Sequence, residues 1–220
     1  MSELARPADR VRRWGVLLSP FAIICLGSGV QHGVGPFLGV WSWLPTMVVF
    51  WSAIAGVIAW SRRDDPTKIW FARPRGRAWW SVLAVGIGLV SLREFVSGWH
   101  TLESPGVLLL WLGFGLVNPW FEESYWRGLL IDAAGRWKLL GVMYSAVGFA
   151  VSHPLMWGVH SIALQHPAAV VALGLAGGVW GVVYWRTGSL IWAIAGHCCA
   201  NLLGLSVPVL LNLYVPAGLR

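Results

Sequence analysis

The chain has 220 residues, 57% of them hydrophobic and 11% charged, with a net charge of +7 and a mean hydropathy of +0.65. A soluble domain carries about 25% charged residues, so these values exclude a disordered protein and an ordinary cytosolic enzyme; three cysteines, all inside apolar runs, exclude a disulfide scaffold. The reading is an all-α, polytopic transmembrane helical bundle, with 17 Trp and 27 Gly suiting interfacial anchoring and close helix packing.

A span needs about 20 mostly apolar residues. Seven stretches qualify: 14–31, 37–60, 78–99, 106–131, 139–158, 167–185 and 188–213. Pro154 interrupts the fifth and Pro208 the seventh, so each is open to division into a span and a short helix. The first stretch follows Arg10, Arg12 and Arg13 and reads as an uncleaved span rather than a signal peptide, because six more spans follow. Connections at Gln31–Pro36, His100–Pro105 and Val159–His166 contain no Lys or Arg. The N-terminus, the Ser61–Arg77 loop, the Gly135–Lys138 turn and the turn at Thr187 hold or adjoin 14 of the 16 cations. That asymmetry predicts a cytoplasmic N-terminus and an outer C-terminus. The same clustering between apolar runs makes the +7 charge a topology signal and not a nucleic-acid face. The expected location is the plasma membrane of a bacterium.

Cys25, Cys198 and Cys199 read as packing residues without metal-type spacing. In the sixth span Gly174 and Gly178, and Gly177 and Gly181, are four apart. That spacing predicts close packing inside the monomer, and oligomeric state stays open. Arg93 and Glu94 fall late in the third span and are assigned no role. His32, His100 and His166 fall in connections, and His160 follows the Pro154 break.

An ionisable residue inside a bilayer costs about 2.5–3.5 kcal/mol on insertion scales and marks function by default. The fourth span carries Glu122, Glu123 and Arg127 in an otherwise apolar run. Glu123 and Arg127 are four apart and share a helix face, so they can pair. Glu122 points elsewhere and needs a partner from another helix. The fifth span carries Phe149 and His153, with Pro154 placing His153 at a kink or helix end. The seventh carries His197 and Asn201 on one face. With the hairpin turn near residues 137–138, Glu122 and His153 stand at equal depth, about 23 Å along their helices. They are expected to face each other, with His197 and Asn201 lining the same cavity.

Glu122-Glu123-xxx-Arg127, Phe149-xxx-His153 and His197-xxx-Asn201, in that order, resemble the CPBP family of intramembrane proteases (also called ABI, or CAAX protease and bacteriocin-processing), type II CAAX prenyl endopeptidase-like. The resemblance divides the chain into an N-terminal three-span region, 1–105, and a catalytic helical core, 106–214, in one integrated membrane domain. It implies an endopeptidase acting on a membrane-anchored protein or peptide, with Glu122 and His153 activating water and His197 and Asn201 stabilising the oxyanion. Glu123 and Arg127 would be a supporting ion pair. No cofactor is assigned. The same residues allow a zinc ion on Glu122, His153 and His197 with Glu123 as base. A small-solute or proton transporter, or a non-proteolytic scaffold of the same family, are the alternative functions. The partners expected are the bilayer and the tethered substrate, with no nucleic acid.

Overall fold

The structure, a computed structural model, describes residues 7–63 and 70–219. Arg6, Lys68 and Arg220 lie outside the described residues. All regular structure among the described residues is helical. In chain order the helices are α1 (Pro7–Leu38), α2 (Trp43–Arg62), α3 (Trp79–Leu89), α4 (Leu92–Gly98), α5 (Pro105–Glu122), α6 (Leu130–Ala133), α7 (Lys138–Ser152), α8 (Ile162–Gln165), α9 (Pro167–Thr187), α10 (Ile191–Leu203) and α11 (Ser206–Leu210).

Four helical stretches are long and apolar enough to cross a membrane: Arg10–Arg62, Trp79–Leu102, Lys138–Trp157 and Pro167–Thr187. The first spans 53 residues and contains α1 and α2 folded back on each other. The helix through Glu122 has Asn118 and Glu122 within its apolar run and falls outside that set, and α10 has only 13 residues. Large apolar side chains cover the outside of the bundle, among them Phe37, Val90, Leu109, Val147 and Leu175. Lipid, not water, is the solvent such a surface fits.

Several boundaries differ from the sequence reading. The first connection is not Gln31–Pro36. α1 runs on to Leu38, and the chain reverses through a tight 3-10 turn at Gly39–Ser42. Gly39 supplies the left-handed φ of +54° that the reversal needs. Gln31 is buried and accepts a hydrogen bond from Ser42 across this turn. The third span breaks between Leu89 and Leu92, which no proline or turn signal announced. Pro154 does not end its helix at His153. The missing N–H is absorbed by a π-helical turn, His153–Trp157, closed by Gly158 N–H donating to the His153 carbonyl at 2.6 Å. In the seventh stretch the break falls at Gly204–Leu205, before Pro208, with Leu205 left-handed at φ +52°. Cys25 faces outward rather than into the core.

The cation-bearing segments gather at one end of the bundle around Asp132. Its carboxylate accepts hydrogen bonds from Trp70 Nε1 at 3.0 Å and Tyr184 Oη at 2.9 Å, and Lys138 Nζ lies 3.7 Å away. Arg62 stacks over Trp70. Arg13 donates to the Ala134 carbonyl at 3.2 Å, and Arg75 N–H to the Thr187 carbonyl at 3.0 Å. The opposite end holds Ser161 on the Val209 carbonyl, Asn212 on the His160 carbonyl and Tyr214 on Glu94. The positive-inside rule predicts that the Asp132 end is cytoplasmic. A single cysteine at Arg75 in a cysteine-free background is expected to react with an impermeant thiol reagent only after the membrane is opened. Labelling in sealed, right-side-out vesicles would reverse the topology.

Two helix contacts position the site. α3 crosses α10 with almost no side chain between them: a Cβ on Gly196 would lie 2.1 Å from the Ala84 carbonyl oxygen, and one on Gly88 would lie 2.1 Å from the Gly196 oxygen. α9 packs on α7 through Gly177 and Gly181. Gly174 meets Ala150 at ordinary contact distance, whereas a side chain at Gly178 would meet open space. Gly196→Ala is therefore expected to lower stability by about 1–3 kcal/mol through overpacking, while Gly178→Ala changes it little. Melting curves of the two variants in detergent check the contrast.

Candidate active site

Two π-helical turns carry the motif residues. The first, Glu123–Leu129, continues directly from α5 and holds Glu123 and Arg127; the second begins at His153. Prolines at 119 and 154 each remove a backbone donor near these turns, and widened turns of this kind occur frequently at functional sites.

Glu122 ends α5 and is fully buried, yet it lines a cavity of about 640 Å³. His153, His197 and Asn201 line the same cavity, as do Asn118, Phe149 and Trp180. Glu123 and Arg127 do not line it; they form the layer behind, with neither side chain exposed. Arg127 Nη1 lies 3.1 Å from Glu123 Oε1, and the guanidinium sits 4.1 Å above the Phe149 ring.

His197 joins the two layers. Its Nδ1 lies 2.8 Å from Glu123 Oε1 and its Nε2 lies 3.5 Å from Glu122 Oε2. The Trp180 ring stacks on the imidazole, with centroids 4.8 Å apart, and fixes the ring plane. A carboxylate only accepts, so Nδ1 carries a proton and Nε2 is the nitrogen presented to Glu122. Two buried carboxylates here face one guanidinium and one imidazole. Burial of charge is tolerable only with such pairing.

Glu122 is met by His197 and by Asn118, whose Nδ2 donates to Glu122 Oε2 at 2.9 Å. His153 shares the cavity, but its Nδ1 donates to the Phe149 carbonyl at 2.7 Å, which leaves Nε2 as the basic nitrogen. Glu122 Oε1 and Asn201 Nδ2 are buried and have no hydrogen-bond partner within the protein. Asn118 was not singled out from sequence. Its signal was its place four residues before Glu122 in an apolar helix.

The remaining histidines lie elsewhere. His160 packs against Gly35, His166 caps α9 by accepting from Ala168 N–H, and His32 and His100 are exposed. Arg93 and Glu94 line the same cavity at its cation-poor end.

Among the described residues no set of three or more His, Cys, Asp and Glu side chains stands in metal-holding geometry. His197 Nδ1 meets Glu123 and His153 Nδ1 a carbonyl, so Nε2 is the remaining nitrogen of each ring.

The site is thus a buried carboxylate that shares a cavity with histidine and amide groups inside a bundle of apolar helices. Residues 104–203, just under half of the chain, match the Rce1-like family, described as type II CAAX prenyl endopeptidase Rce1-like. The match is a similarity of this segment to a CAAX protease family, and with the apolar helices it supports an integral membrane protein. No curated protein and no solved structure matches the chain.

Proposed function

We propose that the protein is an intramembrane endopeptidase that hydrolyses a peptide bond of a membrane-associated protein or peptide. The observation that carries this reading is the pair of unpartnered buried atoms, Glu122 Oε1 and Asn201 Nδ2, in one cavity with His153 and His197. A carboxylate with a spare oxygen can hold a water and take its proton as the oxygen attacks the scissile carbonyl. His153, with a basic Nε2, shares the holding of that water. The carbonyl oxygen gains negative charge, which Asn201 Nδ2–H and the His197 Nε2–H meet as donors. Collapse of the intermediate breaks the C–N bond, and the proton taken by Glu122 passes to the leaving amine. Glu123 and Arg127 stay outside the reaction and keep His197 oriented. The three N-terminal spans, 1–105, and the core, 106–214, act as one membrane domain in this scheme.

The protein reconstituted in liposomes tests the reading against two probes: a prenylated peptide ending in a CAAX sequence, and a peptide tethered by an apolar helix. Cleavage of either supports it. Cleavage of neither, together with flux of a small solute in the same vesicles, would favour a transporter.

A further inference from the structure

The side chain of Asn118 is held from two sides. Trp51, on α2, donates its indole N–H to Asn118 Oδ1 at 2.9 Å, and Asn118 Nδ2 donates to Glu122 Oε2 at 2.9 Å. The chemistry admits one amide orientation. An indole N–H only donates, so the atom it meets is the amide oxygen; a carboxylate only accepts, so it faces the amide nitrogen. Asn118 is 2% exposed and Glu122 fully buried, so neither has bulk water as an alternative partner. The indole is itself fixed by stacking on Phe121, with centroids 4.9 Å apart and planes 5° from parallel.

We infer that Trp51 is a positioning residue for Glu122, acting through Asn118. The inference rests on Glu122 being the group that activates water. Trp51 lies outside the family-matched segment, 104–203, so part of the catalytic carboxylate's support comes from the N-terminal region. With the indole donor in place, Asn118 fixes Oε2 and leaves Oε1 facing the reaction. Without it the buried amide oxygen loses its donor, and Asn118 is held on one side only, so Oε2 is fixed less firmly.

The test is a double-mutant cycle on the reconstituted protein, with whichever tethered probe the wild type cleaves. Trp51→Phe keeps the ring stack and removes only the N–H. It is expected to lower kcat about tenfold while KM stays within about twofold, the upper scale of one neutral hydrogen bond. Asn118→Ala is expected to lower kcat at least as far, and adding Trp51→Phe to it should cost nothing more. Trp14→Phe, at an exposed indole on α1, serves as the control and should match wild type. Wild-type kcat in Trp51→Phe, or effects that multiply in the double variant, would overturn the inference. Glu122→Gln in the same assay separates the two claims: activity there removes the role of Glu122, whereas an inactive Glu122→Gln beside a normal Trp51→Phe removes only the role of Trp51. The indole N–H band in ultraviolet resonance Raman difference spectra, with and without Trp51, reads the bond independently of turnover. It should shift to the unbonded position in Asn118→Ala, and an unshifted band also overturns the proposal.

Discussion

Glu122→Gln is expected to leave the protein folded and to lower cleavage by about 100- to 10,000-fold, the range of general-base contributions. The amide has the shape of the carboxylate and is cheaper to bury. Asn118 Nδ2, now 2.9 Å from Glu122 Oε2, can still donate to the amide oxygen. What disappears is the ability of the second atom, Oε1, to take a proton from water. Asn201→Ala, which removes one oxyanion donor, is expected to cost about 100- to 1000-fold. Initial rates with equal amounts of folded protein, checked by size-exclusion profile, measure both. Near-normal cleavage by Glu122→Gln would make Glu122 a structural charge. Activity that survives a strong chelator would favour the glutamate mechanism over one that uses zinc.

The second large effect concerns folding. Arg127 and Glu123 are both fully buried and 3.1 Å apart. Removing one member of such a pair leaves an uncompensated charge and costs about 3–5 kcal/mol, a third or more of the stability of a typical domain. Arg127→Met, which keeps much of the side chain's length over Phe149, is expected to reduce the folded yield sharply, and Glu123→Gln to do the same. The double variant Arg127→Met/Glu123→Gln removes both charges and is expected to recover yield. It should not recover cleavage, because Glu123 Oε1 also holds His197 Nδ1 at 2.8 Å. Detergent-extracted yield and melting temperature across the four proteins test the claim. Normal yield in either single variant would mean that the pair is solvated.

Much of the site was legible because charge in an apolar run stands out. Glu122, Glu123, Arg127, His153 and His197 could each be found by asking what does not belong in lipid, and Asn201 by its place four residues after His197 on one helix face. Counting from the 135–138 turn put Glu122 and His153 at equal depth, and both line one cavity. Depth counting is blind to rotation about the helix axis. The close approach of α10 to α3 at Gly196 and Ala84 is a long-range event with no local signature. Asn118 is uncharged and escaped a search built on ionisable groups. Trp51 is one of 17 tryptophans, too many for any one to be informative. The α1–α2 turn was misplaced because Gln31 and Pro36 look like a loop; Gln31 is instead satisfied internally by Ser42.

The two π-helical turns have a consequence for how this chain can change. Each holds more residues per turn than an α-helix, so each acts as a stored residue within an unbroken rod. A substitution in Glu123–Leu129 alters one side chain. Deletion of one residue there, with relaxation to α-helical winding, removes that stored residue and leaves the rotation downstream nearly unchanged. Asp132 would still face Trp70, Tyr184 and Lys138, which it now joins. What is lost is the widened turn on which Glu123 and Arg127 sit. One-residue deletions in these two segments should therefore disturb the cavity and the layer behind it more than they disturb the fold around Asp132.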